Sequence, residues 1–102
     1  NNLLHYLINN NIFNTIISRA VENNNIYLLT FLVENNINIT RCSVNSFSLA
    51  VSNGYVNVVQ LLINNGYNVR LCSYEASQAA HNNGHIAMIE LLIRSGYSVI
   101  IT

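Results

Sequence analysis

Identical residues recur every 30 positions along this chain. Ala20, Ala50 and Ala80 share one column, and the pairs Cys42 and Cys72, Gly54 and Gly84, Leu61 and Leu91, and Gly66 and Gly96 share four others. A fixed period of this size marks a stack of supersecondary units, each burying its apolar face only against its neighbours. Such a stack presents an extended surface. The period therefore points to a class of function without naming a partner.

One unit can be read residue by residue. Ser73 is a fitting helix N-cap, and Glu75 then sits near the positive end of the helix dipole. Ala76, Ala79 and Ala80 follow at i, i+3 and i+4, a stripe of small residues that lets helices approach closely. Asn83-Gly84 ends this first helix, because glycine enters the left-handed cap without a Cβ penalty. A second helix begins at once with Ile86 and runs to Ser95, where Gly96 stops it. Its apolar residues cover more than a narrow face, which predicts a helix covered on several sides. Val56, Val58, Val59, Leu61, Leu62 and Ile63 repeat the pattern, as do Ile26, Leu28, Leu29, Phe31, Leu32 and Val33. These second helices are expected to supply most of the stability, at roughly 1.5–3 kcal/mol per buried side chain. A short extended connector, Tyr67 to Cys72, leads back to the next first helix.

Charge narrows the functions further. Only 8% of residues are charged, with four Arg, four Glu and a formal net charge of zero. Nucleic-acid binding needs a basic stripe to displace counterions from phosphates, and the chain has none. No run approaches the roughly 18 apolar residues of a membrane span. No signal peptide is visible at Asn1-Asn2-Leu3-Leu4-His5. The two cysteines sit at equivalent points of stacked units, about 8–10 Å apart, whereas disulfide Cα separations are usually about 4.4–6.8 Å. Two free thiols, acting as small apolar side chains, are expected in a reducing compartment.

Two antiparallel helices, an extended connector and Asn-Gly-His at the opening of the second helix resemble the ankyrin repeat. Ala80-His81-Asn82-Asn83-Gly84-His85 followed by Leu91-Leu92 and Gly96 carries the likeness best. Ala50 to Val69 fits the same frame with Tyr55 in place of the histidine. Ala20 to Ile39 fits it with Asn24 and Asn36 in place of both glycines, asparagine being the residue that best tolerates the left-handed conformation after glycine. The resemblance implies an all-α, ankyrin-type solenoid of stacked helix-turn-helix repeats with short extended connectors. Two features depart from the family. The usual repeat has about 33 residues, so the shortfall in the connector predicts a stunted β-hairpin finger. The Thr-Pro-Leu-His opening of the first helix is replaced by Asn45-Ser46-Phe47-Ser48 and Glu75-Ala76-Ser77-Gln78. A 30-residue repeat of this kind is similar to the divergent ankyrin arrays of large DNA viruses of amoebae. The richness in Asn, Ile and Tyr suits an AT-rich genome, and the absence of Lys runs against it.

The frame divides the chain into a partial repeat at 1–12 and full repeats at 13–42, 43–72 and 73–102. Leu3 to Ile8 reads as a second helix without its first, Asn9-Asn10-Asn11 as a tight turn, and Ile12 as the counterpart of Ile37. Val99-Ile100-Ile101-Thr102 offers no polar capping helix, so the segment reads as an excerpt of a longer array.

No chemical constellation emerges. His81 and His85 are four apart, but the break at Asn83-Gly84 separates them and argues against a metal pair. The resemblance gives His85 a structural hydrogen-bonding role, and His5 reads as a half-exposed helix residue. Cys72 and His81 lack an orienting third group. Glu22, Glu34, Glu75 and Glu90 have no paired spacing and read as solvated helix residues. Glycines occur singly, not in a phosphate loop, and Asn38-Ile39-Thr40 is a sequon without evidence of secretion. Neither enzymatic activity, a cofactor nor a small-molecule substrate is expected.

What remains is a surface. The resemblance places partners on the concave face, lined by connector tips and exposed first-helix positions. Here these are Arg41, Val44, Ser48 and Ser52 in one repeat, and Arg70, Leu71, Tyr74, Gln78 and Asn82 in the next. Arg and Tyr are enriched at interface hot spots. The leading expectation is a non-catalytic protein-interaction module in the cytoplasm, including that of a host cell. The competing one is a structural spacer within a longer repeat protein whose other domains, such as an F-box-like segment, carry the function.

Overall fold

The computed structural model describes Leu3 and residues 12–98. Leu3 is helical and exposed; the expected turn at 9–11 and the apolar end at 99–102 lie outside the described residues. Six helices follow one another as α1 (Ile12–Glu22), α2 (Ile26–Glu34), α3 (Val44–Ser52), α4 (Val56–Asn64), α5 (Tyr74–Asn82) and α6 (Ile86–Arg94), with short 3-10 turns at Ile39–Arg41 and Val69–Leu71. The helices make two layers. First helices α1, α3 and α5 pack side by side, second helices α2, α4 and α6 do the same, and each first helix packs on its own second helix. The result is an elongated all-α body of 51 × 21 × 20 Å with no strand among the described residues.

Local chemistry sets each boundary. Ser43 and Ser73 cap α3 and α5, their hydroxyls accepting from the N–H groups of Ser46 and Ala76 at 3.1 Å. At the far end of α3 the Gly54 N–H donates to Val51 O and the Tyr55 N–H to Ala50 O, at 3.1 and 2.9 Å. This paired closure needs a left-handed residue, and Gly54 adopts φ +74°. Gly84 and His85 repeat it with His81 and Ala80 as acceptors. In the first hairpin Asn24 takes the glycine's place at φ 55°, and Asn36 does so after α2 at φ 63°, as the substitution pattern predicts.

The core follows the 30-residue columns. Ala20, Ala50 and Ala80 are buried where the two layers meet, and Leu32, Leu62 and Leu92 are buried on the second helices. Phe47 is fully buried and stacks on Tyr67, with ring centroids 4.4 Å apart.

The middle second helix, α4, is covered on several sides as expected, by its partner helix and by both neighbouring second helices, while Phe31 on α2 and Ile86 and Ile93 on α6 are 58%, 67% and 55% exposed. Two expectations are corrected. The connectors are neither extended nor a reduced hairpin. Asn38 and Asn68 each accept from the N–H two residues on, of Thr40 and Arg70, at 3.0 Å, and these side-chain turns wind the backbone into 3-10 geometry. Ile12 lies in the first turn of α1, partly exposed, whereas Ile37 is buried in a connector, so the two are not counterparts.

Candidate functional site

The connectors are tied to neighbouring repeats by two hydrogen bonds that recur with the 30-residue period. Ser18 Oγ accepts from the Ser43 N–H and Ser48 Oγ from the Ser73 N–H, both at 3.0 Å. The Tyr67 and Tyr97 hydroxyls donate to the carbonyls of Cys42 and Cys72 at 3.2 and 3.3 Å. These ties fix each connector at the edge of the first-helix layer. Side chains on that edge are held in place by the scaffold rather than carried on a loose loop.

The predicted surface residues separate into distinct neighbourhoods. Arg41 lines a polar basin of about 600 Å³ with Asn14, Ser18, Arg19, Glu22 and Ser46. Ser52 lines a shallow recess of about 310 Å³ with Leu49, Ala76 and Ala79. Arg70 and Tyr74 share a third recess, of about 430 Å³, with Tyr97. Val44, Leu71 and Asn82 are exposed, and Gln78 is half-buried. Ser48 lines the same recess as Ser52 but from a more buried position. It is buried, and its hydroxyl is engaged by the connector, because small polar residues at this column close the gap between stacked units.

The first recess contains residues that the linear sequence does not single out. Asn14, Thr15, Ser18, Arg19 and Glu22 fall at i, i+1, i+4, i+5 and i+8, which places them on one face of α1, opposite the buried Phe13, Ile17, Ala20 and Val21. Comparison of columns could have found them, since Arg19 aligns with Leu49 and Arg41 with Leu71. Glu22 is more than a solvated side chain. Its carboxylate accepts from the Ser46 hydroxyl, which in turn accepts from that of Ser43 at 2.8 Å. Asn14 Oδ1, in the same neighbourhood, is buried without a hydrogen-bond partner.

Buried nucleophiles and histidines have structural surroundings. Cys42 and Cys72 are free thiols. Burial pushes the Cys42 thiol up to about 12, the Ser18 hydroxyl lowering it and the Glu22 charge raising it. Burial takes Cys72 to about 11, with the Ser48 hydroxyl acting in the opposite sense. Both hold their protons at neutral pH, the opposite of an activated thiolate. His85 stands at the N-cap of α6 without a side-chain capping bond, so the hydrogen-bonding role implied for it is not seen there. Its ring instead packs against Gly54, where an added Cβ would lie 2.7 Å from Nδ1. His81 and His85 are brought to one small apolar recess of about 210 Å³ with Ile86, Ile89 and Glu90, although the helix break separates them in sequence. Among the described residues no three His, Cys, Asp or Glu side chains are grouped to hold a metal. Among the described residues no helix is long and apolar enough to cross a membrane.

The sequence model of the ankyrin repeat family matches residues 47–74, which run from within α3 through α4 and the second 3-10 turn to the start of α5. No curated protein and no solved structure matches the chain. The helix pairs α1–α2 and α5–α6 repeat the closures and connector ties of the matched stretch on either side.

Proposed function

We propose that this chain, an ankyrin repeat protein, is a non-catalytic interaction module that presents its first-helix face to a protein partner. One observation carries the reading. Val44, Leu49, Leu71 and Tyr74, on the first helices and the connector that leads into α5, are 41–49% exposed. Exposed apolar side chains also stand on the second helices, at Tyr27, Phe31, Ile86 and Ile93, and the first-helix side is preferred because Arg19, Arg41 and Arg70 line recesses there. Arg70 and Tyr74, which line one recess, are of the types that dominate binding energy.

The units that act together are the repeats at 13–42, 43–72 and 73–102. A cytoplasmic location is supported by the two free, protonated thiols, which suit a reducing compartment. A pure spacer would tolerate any polar or apolar residue on this face, provided the ties between repeats were kept.

Selection of binders from a random peptide display library tests the proposal, with hydrogen exchange locating the footprint. Binders that protect α3, α5 and the connectors, and lose affinity on Arg70→Ala/Tyr74→Ala, are expected. Binders confined to the second-helix layer would oppose it.

A further inference from the structure

The first-helix face changes character from one repeat to the next at fixed register. Thirty residues along, Arg19 becomes Leu49, Arg41 becomes Leu71 and Ser46 becomes Ala76. The two stretches form neighbouring recesses on the first-helix layer. The first holds two guanidinium groups and one carboxylate, Glu22, which already accepts from the Ser46 hydroxyl. The positive balance therefore belongs to Arg19 and Arg41. The second is lined by Leu49, Ala76 and Ala79 with Asn45, Ser48 and Ser52, and has Glu75 at its edge; exposed Leu71 holds the register position that Arg41 holds beside the first. An anionic group is drawn to the first recess and repelled from the second.

We propose that this face binds an extended peptide segment carrying an oxyanion, a carboxylate or a phosphate, about three residues from a bulky apolar side chain. The spacing follows from geometry. Adjacent packed helices are about 8–10 Å apart, and an extended chain rises about 3.3 Å per residue. The oxyanion seats between Arg19 and Arg41, whose planar forks suit either anion. The apolar side chain lies over Leu49 and Leu71. The inference rests on the interaction-module reading and adds the chemistry of the partner to it.

Labelled Gly/Ser peptides of one length test it on the 102-residue chain. They carry Glu, phosphoserine, Ser or Lys at one position and Leu or Ala three positions to either side. The Glu-Leu or phosphoserine-Leu peptides are expected to bind, in at least one orientation. Arg19→Ala/Arg41→Ala should weaken that binding about tenfold, as should raising the salt from about 0.05 to about 0.5 M. Replacing the peptide Leu with Ala should weaken binding to the native chain, and much less to a Leu49→Ser/Leu71→Ser variant, in a double-mutant cycle. Unaltered circular dichroism of both variants shows that folding is intact, since all four side chains lie outside the buried core. Preference for phosphoserine identifies phosphate as the source of the anion, and parity shows that a carboxylate suffices. Equal binding of the Ser or Lys peptides, no effect of the arginine variant, or no binding by any peptide would overturn the inference. Library binders that footprint on this face without the acidic-apolar spacing would overturn it and leave the interaction-module reading intact.

Discussion

The Tyr67 hydroxyl donates to the carbonyl oxygen of Cys42, 25 residues earlier, at 3.2 Å. The bond joins the end of one repeat's second hairpin arm to the connector of the repeat before it. Its ring meanwhile stacks on Phe47. Tyr97 repeats the bond to Cys72, but Ser77 occupies the Phe47 column, and the Tyr97 hydroxyl lies 3.4 Å from Ser77 Oγ instead of its ring lying on an aromatic. Ile37, in the same column, has no hydroxyl to give.

Tyr67→Phe should keep the stack and lose the tie, at a cost of about 0.5–1.5 kcal/mol. Tyr67→Ile loses both and should cost at least about 0.5–1.5 kcal/mol more. Urea unfolding of the two variants checks the order. Equal stability of Tyr67→Phe and the native chain would show that the bond contributes nothing.

The buried thiols predict an alkaline weakness. The ordinary thiol value is 9.0, and burial takes Cys42 to about 12 and Cys72 to about 11. Tyr67 moves from 10.0 to about 12, chiefly through burial and then through repulsion from the two cysteines once charged. The folded chain holds these protons where the unfolded chain has released them. Its stability is therefore full below about pH 9 and falls as pH rises toward 11–12. Unfolding midpoints between pH 7 and 11 should decline, and less steeply in a Cys42→Ala/Cys72→Ala variant. At pH 8 both native thiols should resist iodoacetamide until denaturant is added.

Gly54 and Gly84 have the same φ of +74°, yet only Gly54 faces a neighbour, the His85 ring. Gly84→Ala should cost about 1–2 kcal/mol for the left-handed backbone alone. Gly54→Ala adds a contact at 2.7 Å and should cost more. Part of that excess should return in Gly54→Ala/His85→Ala, a coupling that thermal melts of the four chains would measure.

Ser48→Ala leaves the Ser73 N–H without its acceptor and should lower stability by about 1–3 kcal/mol. Peptide affinity at the temperature of full folding should be unchanged, which separates this residue from Arg70 and Tyr74. Loss of affinity with unchanged melting would reverse that assignment.

The helix pairs were legible because each signal in the sequence has a local cause. Ser43 and Ser73 cap, Gly54 and Gly84 close, and Asn24 and Asn36 accept the same left-handed geometry. The connector was not, because its 3-10 turn depends on Asn38 and Asn68 folding back on their own backbone, an alternative to extension that apolar periodicity does not register. Burial of Ser48 was hidden for a different reason. Its partner lies 25 residues away, and only stacking brings them together. The exposure of Phe31 and Ile93 likewise depends on which arc of the second helix the layer leaves open. The polar basin is not legible in the sequence because its residues are ordinary one by one and become distinct only when Arg19 and Arg41 are set against Leu49 and Leu71.

The central claim is that partners engage the first-helix layer and not its opposite side, where Tyr27 and Phe31 are 86% and 58% exposed. Quantitative binding of a library-selected partner peptide to two folded double variants tests it most directly. Arg70→Ala/Tyr74→Ala should lose about tenfold or more in affinity, while Tyr27→Ala/Phe31→Ala stays within about twofold of the native chain. Loss on the Tyr27/Phe31 variant with retention on the Arg70/Tyr74 variant would contradict the account.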